Sequence, residues 1–369
     1  MKINTKDALR DVHPSKVILP VLIGIAVAAY IFFREGEIES LSVIQPTWTV
    51  VFFLMVAILL VCFRILGYMI RLRILSEGKL SYFKILRIVL LWEFASAVTP
   101  SAVGGTSVAL LFLYKEGLPI GKGAAVVLGT LFLDELYFVL VFPIVAMLIG
   151  FDNLFALSKV DAGSFLDNKY FYFAIAGYGV KVCIVLLVGY GLFFNPQALK
   201  RFILLIFSIP GLRRWKEKAA ESGDDIVDAS RELSSKPFKF WLKGFGATFF
   251  SWTSHYSVVN FLILALIFGL NGSANHTLPS IVEHINIFAR QLILWVMMMV
   301  FPTPGGTGLS EVIFLEYMKI FIPTGFVSIM TVIWRLICYY PYLFIGAVIL
   351  PGWINRSFKH HRNEEIEVK

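Results

Sequence analysis

Charge is what this chain has least of. Asp, Glu, Lys and Arg make up only 16% of its residues, against 58% hydrophobic, and its mean hydropathy is +0.77. Soluble domains carry about 25% charged and about 45–50% apolar residues. A water-soluble fold of 369 residues with this composition would expose far too much apolar surface, and a disordered chain needs low hydrophobicity. Cysteine is scarce as well. Cys62, Cys183 and Cys338 all lie in apolar stretches and read as small buried hydrophobes, which excludes a disulfide or zinc framework. His13, His255, His276, His284, His360 and His361 show no metal-ligand spacing, so no metal or cofactor is expected. Gly177-Tyr178-Gly179 sits inside an apolar run and is not a dinucleotide fingerprint, and Gly121-Lys122-Gly123 lacks the rest of a phosphate loop. No polar segment is long enough for a soluble catalytic domain. The net charge of +8 does not indicate a nucleic-acid partner, because long apolar runs separate the basic residues.

What the chain does have is apolar length. A membrane helix needs about 20 apolar residues, and runs of that kind fill most of the sequence. The fold class expected is an all-α polytopic membrane protein forming one membrane domain over 1–369. The first run, Val17 to Phe33, follows Lys2, Lys6, Arg10 and Lys16 like a signal peptide. Its only small-x-small site, Ala26-Val27-Ala28, lies within the run, so it reads as an uncleaved span. Further runs cover roughly 47–66, 85–114, 124–150, 170–195, 244–270, 281–322 and 326–350. Two of them are too long for one helix and are broken internally. The breaks are Thr99-Pro100-Ser101-Ala102-Val103-Gly104-Gly105-Thr106 and Pro302-Thr303-Pro304-Gly305-Gly306-Thr307-Gly308.

The distribution of Lys and Arg sets the expected topology. Residues 64–87 hold six and 196–243 hold ten, whereas 151–169 holds two and 271–280 none. The rich segments, with both termini, belong in the cytoplasm. Tracing the chain then leaves one crossing too few for each broken run. The expectation is about six full spans plus two re-entrant broken-helix hairpins, one from each face. Residues 47–150 and 244–350 read as an inverted repeat at an offset of about 200 residues, separated by a cytoplasmic loop over 196–243. Inverted repeats with discontinuous helices are a transporter architecture, with substrate near the midplane.

Each hairpin places glycines before a new helix, whose free N–H groups suit an anion such as phosphate. The candidate substrate-binding residues are Thr99, Pro100, Gly104, Gly105 and Thr106 in the first break, and Pro304, Gly305, Gly306 and Thr307 in the second, joined by Ser107 and Ser310. The alternative is that the glycines only permit a tight turn and close packing. Arg335 can fork onto a phosphate. Glu93, Asp134, Glu135 and Glu311 could hold a cationic headgroup or relay a proton, or else form compensating salt bridges with their neighbours. Lys181 has no evident partner, and Arg64, Glu316 and Lys319 read as snorkelling residues. In 196–243, Arg213-Arg214-Trp215-Lys216-Glu217-Lys218 and Lys236-Pro237-Phe238-Lys239-Phe240-Trp241 interleave basic and aromatic residues. That pattern suits either an anionic leaflet or an ordinary positive-inside loop, with a short surface helix around 212–234. Asn271-Gly272-Ser273 and Asn275-His276-Thr277 are glycosylation sequons in a very short loop.

Thr99-Pro100-Ser101-Ala102-Val103-Gly104-Gly105, and Pro302-Thr303-Pro304-Gly305-Gly306-Thr307-Gly308 with Glu311, resemble the two signatures of the lysylphosphatidylglycerol synthase transmembrane, or flippase-like, family. Arg335 followed by Tyr339-Tyr340-Pro341 resembles the family's last span, and the likeness runs from about Val17 to Pro351. The resemblance implies a bacterial or archaeal inner-membrane protein that moves or handles lipids. In the aminoacyl-lipid members a separate soluble domain transfers lysine from charged tRNA. Only a short polar tail to Lys369 follows the last span here, so transferase activity is not expected. Thr106-Ser107 stands where many relatives carry an acidic residue, which argues against a cationic headgroup. The leading expectation is a flippase-like transporter of a phosphate-containing lipid. The alternatives are a membrane-embedded lipid-phosphate transferase and a non-transporting accessory of a lipid-modifying enzyme. Against the transferase, no Asp-x-Asp pair, phosphatase-like His cluster or nucleophile–base pair stands out.

Overall fold

The computed structural model describes residues 42–99, 101–158, 164–198, 200–201, 224, 227–270, 278–300, 303 and 305–367, with backbone alone at 101–104, 106–107 and 355–367. Several expectations fall outside the described residues: the span Val17–Phe33, Pro100 and Pro304, the side chains of Thr106 and Ser107, the basic run Arg213–Lys218 and both sequons.

The described residues form helices and no strands. Helix α1 (Trp48–Leu75) starts where the Thr47 hydroxyl accepts from the Val50 N–H at 3.4 Å. It stops at Glu77 and Gly78, both at positive φ. A broken pair follows, α2 (Tyr82–Val98) and α3 (Ser101–Lys115). Helix α4 (Ile120–Ile149) ends at Gly150, at φ 82°. After the short α5 (Phe151–Phe155) comes α6 (Lys169–Phe193), capped by Asn168, whose Oδ1 accepts from the Tyr170 N–H at 2.9 Å. Helix α7 (Phe238–Gly269) opens the second half, followed by a second broken pair, α8 (Ile281–Met297) and α9 (Leu309–Met318). Then come α10 (Val327–Cys338) and α11 (Tyr340–Glu367).

Five helical stretches among the described residues are long and apolar enough to cross a membrane: Trp48–Leu75, Ile120–Ile149, Lys169–Phe193, Phe238–Gly269 and Val327–Ile354. The last is not one straight helix, as the run 326–350 leads one to expect. It is interrupted at Tyr339, and Pro341 sits in the first turn of α11, where its missing N–H costs nothing.

Helices α1 and α7 form the spine. They lie antiparallel over their length, with the Gln45 N–H bonded to the Gly269 carbonyl at 2.7 Å at one end. The Phe53–Phe268 rings lie 5.3 Å apart along the way, and Arg71 donates to Thr248 at 3.2 Å near the other end. An ideal Cβ on Gly67 would come 2.8 Å from Ser251 Cβ and 2.9 Å from the Ala247 carbonyl oxygen, so these backbones meet closely because glycine leaves room.

Each broken pair enters from a different end of α4. At the end where α4 starts, Lys84 of α2 donates to the Glu116 carbonyl beyond α3 at 2.8 Å, and Arg87 pairs with the Glu116 carboxylate at 2.8 Å. At the end where α4 stops, Arg290 of α8 donates to the Tyr317 carbonyl of α9 at 2.8 Å. The same guanidinium donates to the carbonyls of Asn153 and Ala156 at 2.8 and 2.7 Å. Each pair is therefore a hairpin whose two ends lie together. Two apolar cores match this division. One gathers α2, α3 and α11 around the first half of α4, and the other gathers α8, α9 and α10 around its second half.

Candidate functional site

The tips of the two hairpins meet. In the first, α2 ends at Val98, and the Thr99 hydroxyl donates back to the Ala95 carbonyl at 2.6 Å. Helix α3 resumes at Ser101, so Gly104 and Gly105 are not in the break, where the sequence reading puts them. They lie about a turn inside α3. Gly105 serves the packing of the hairpin, since a Cβ there would stand 3.0 Å from Ser96 Cα on α2. Thr106 and Ser107 are likewise helical and not at its start. The glycines of the second hairpin behave as expected. Gly305, Gly306 and Gly308 all take positive φ (57°, 69° and 89°), and α9 begins directly after them.

Tyr339, at the α10–α11 break, joins the tips. Its hydroxyl donates to the Ala97 carbonyl on α2 at 3.0 Å and lies 3.5 Å from the Thr307 hydroxyl. A Cβ on Gly305 would stand 2.6 Å from the same Ala97 oxygen. Thr307, Ser310, Glu311, Arg335 and Tyr339 are all buried.

Arg335, on α10, is bonded to the tip of the second hairpin. Its Nε lies 2.9 Å from Glu311 Oε1, Nη1 reaches the Gly305 carbonyl at 3.3 Å and Nη2 the Gly306 carbonyl at 3.4 Å. Nη2 also donates to the Ser310 hydroxyl. Glu311 in turn accepts from the Gly308 N–H at 2.8 Å and from Ser310 Oγ at 2.9 Å. The start of α9 therefore already holds an anion, the Glu311 carboxylate, with an arginine beside it. This is the donor set that suits a phosphate.

The remaining candidate acids lie beside the spine in a belt of ion pairs, of which Glu135 is buried and Glu93 and Asp134 are partly buried. Arg64 pairs with Glu93 at 2.9 Å and donates to the Tyr342 hydroxyl at 3.2 Å. It is 7% exposed, so it does not snorkel as its place near the end of a run leads one to expect. Asp134 pairs with Arg71 and accepts from Trp252 Nε1 at 2.5 Å. Glu135 pairs with Lys181 at 2.7 Å, which supplies the partner that Lys181 lacks in the sequence. Lys319 and Glu316 pair with each other at 2.7 Å, both partly exposed. Arg71 is the member sequence reasoning missed. It reads there as one more topology-setting cation, although it stands seven residues from Arg64 and so on the same helix face. The structure thus brings Gly305, Gly306, Thr307, Glu311 and Arg335 to one junction, which the first hairpin meets through Ala97, while Thr99 bonds back to its own helix. Glu93, Asp134 and Glu135 fall in the neighbouring belt.

These features define a multi-pass helical membrane protein with two opposed helical hairpins whose tips meet at a buried polar junction. The family model for the lysylphosphatidylglycerol synthase TM region matches residues 17–346, and the chain belongs to that family. It is similar to a UPF0104 membrane protein of Archaeoglobus fulgidus, 28% identical over 341 residues that cover 89% of this chain and 94% of the relative. No solved structure matches it.

Proposed function

We propose that this protein is a flippase-like lipid transporter that binds a phosphate-containing lipid at the hairpin junction and moves it between leaflets. Phospholipids, aminoacyl-phospholipids and polyprenyl-phosphate lipids all present that phosphate. The observation that carries the reading is the approach of Tyr339 and Gly305 to Ala97, which puts the tips of the two hairpins in one place. In this reading the hairpins are re-entrant, and with the span at 17–33 the chain crosses the membrane six times. The antiparallel α1–α7 pair is then the axis of an inverted repeat. The Lys/Arg-rich ends and both termini face the cytoplasm of a bacterial or archaeal cell.

The Glu311 carboxylate stands in for the lipid phosphate at the start of α9. Arriving phosphate displaces it and takes Arg335 and the Gly308 N–H, and Glu311 accepts a proton or turns to a cationic part of the headgroup. Asp134 and Glu135 are the further candidates for a proton path, once their pairs with Arg71 and Lys181 open. The test is reconstitution of the full chain into vesicles carrying fluorescent phosphatidylglycerol, phosphatidylethanolamine and a polyprenyl phosphate, with leaflet exchange followed by quenching from outside. Movement of at least one phosphate lipid, abolished in Arg335→Gln, is the expected result. Folded protein that moves no lipid of the panel overturns the reading.

A further inference from the structure

We infer a second lipid site, separate from the hairpin junction and independent of any transport role: a groove between the end of α1 and the start of α7 that holds the headgroup of an anionic phospholipid. The groove offers about 430 Å3. Its wall is apolar, made by Ile70, Ile74 and Phe240, and Ile70 is 40% exposed on the outer surface of the helix bundle. Leu66, one turn before Ile70 on the same face of α1, is exposed as well, so the apolar surface extends along that helix.

The polar rim carries a net positive charge. Glu77 lines the groove, but its two carboxylate oxygens are taken by Lys122 and Lys236, each at 2.6 Å. Arg73 and Lys243 are the remaining charged groups of the lining. Arg73 donates to the Leu80 carbonyl at 2.7 Å and lies over the Tyr82 ring at 4.2 Å, so it is positioned without being neutralised. Lys243 has no hydrogen-bonding or ionic partner among the described residues. Two uncompensated cations above an apolar wall, at the Lys/Arg-rich end of the helices, match a phosphodiester above its acyl chains. A free phosphate would use the cations and leave the wall empty.

The geometry separates the roles within the interleaved sequence Lys239-Phe240-Trp241. Trp241 is buried against Phe132 and Phe193, with ring centroids at 6.1 and 4.9 Å, so it anchors α7 to the protein. Phe240 and Lys243 are the pair that line the groove.

The test uses the purified full chain in detergent, with Lys243→Ala and, as control on the same helix outside the lining, Lys239→Ala. Affinities are measured for dioctanoyl-phosphatidylglycerol, dioctanoyl-phosphatidylcholine and glycerol 3-phosphate, with unchanged melting of the lipid-free variants as the folding check. The expected result is preference for phosphatidylglycerol over both other ligands, a loss of about fivefold in Lys243→Ala, and no change in Lys239→Ala. Binding at the hairpin junction is the same in all three proteins, so the difference between the variants for each ligand reads the groove. A Lys243→Ala variant that binds phosphatidylglycerol like the control, or that loses as much affinity for phosphatidylcholine or glycerol 3-phosphate as for phosphatidylglycerol, overturns the proposal.

Discussion

Tyr339 and Ala97 stand 242 residues apart in sequence and are joined by a 3.0 Å hydrogen bond from the tyrosine hydroxyl to the alanine carbonyl. The bond is buried, and it ties the break in the last membrane stretch to the tip of the first hairpin. Removing the hydroxyl leaves a buried carbonyl without that donor, at a cost of about 1–3 kcal/mol. Tyr339→Phe is therefore expected to melt earlier than the wild type. Gly305→Ala is expected to cost more, because its Cβ must enter at positive φ and 2.6 Å from the same oxygen. Thermal unfolding of both variants in one detergent checks the order, and a Tyr339→Phe variant as stable as wild type removes the bond from the account.

The belt of ion pairs gives a second prediction. Lys181 is fully buried and Glu135 nearly so, with 2.7 Å between their charges. Breaking a buried pair from one side leaves an uncompensated charge, which costs about 3–5 kcal/mol, whereas an apolar replacement of both is close to neutral. Lys181→Met and Glu135→Leu are each expected to destabilise strongly, and the double variant to recover most of the loss. A double-mutant cycle on unfolding free energies measures this. Additive losses would mean that the two side chains do not act as a pair.

Both hairpins are legible in the sequence because proline and glycine are local signals. Pro100 and the Gly305–Gly308 run interrupt apolar stretches too long for one helix, and the structure breaks both stretches there. The position of each glycine within its break is not legible. Gly104-Gly105 and Gly305-Gly306 look alike as dipeptides, yet only the second pair takes positive φ, because α3 already resumes at Ser101. The pairing of buried charges is also hidden. Arg64 with Glu93, Arg71 with Asp134, and Lys181 with Glu135 join different helices. A single sequence says which side chains are costly to bury but not which lie opposite one another.

A pH dependence follows from the junction of loops at the Lys/Arg-rich end. Hydrogen bonds from Lys122 and Lys236 hold the Glu77 carboxyl down, to about 2. An unfolded glutamate titrates near 4.3. The folded value is the lower one, so the contribution of Glu77 to stability is fully present above about pH 5 and is lost as the pH falls from there through about 2. Comparing wild type with Glu77→Gln, the stability gap is expected to be constant from about pH 5 to 8 and to close below about pH 4. A gap that varies between about pH 6 and 8 would point to a different titrating group.

The spine supplies the sharpest contrast between two glycines. Gly67 on α1 faces Ser251 and Ala247 of α7, and a Cβ there would meet Ser251 Cβ at 2.8 Å and the Ala247 carbonyl oxygen at 2.9 Å. Neither neighbour can step aside by rotating, since one is a Cβ and the other a backbone atom. Gly67→Ala must therefore push the two helices apart, and overpacking of this kind costs about 1–3 kcal/mol. Gly246 lies on α7 and faces outward, and a Cβ there would meet nothing within 4 Å. Gly246→Ala adds no contact and restricts the unfolded chain, so its stability is expected to equal or slightly exceed that of wild type. Both substitutions add the same methyl group to the same helix pair, and only its direction differs. Parallel melting curves of the two variants test whether α1 and α7 pack as closely in the membrane protein as their antiparallel contact requires, and similar melting temperatures for both would show that they do not.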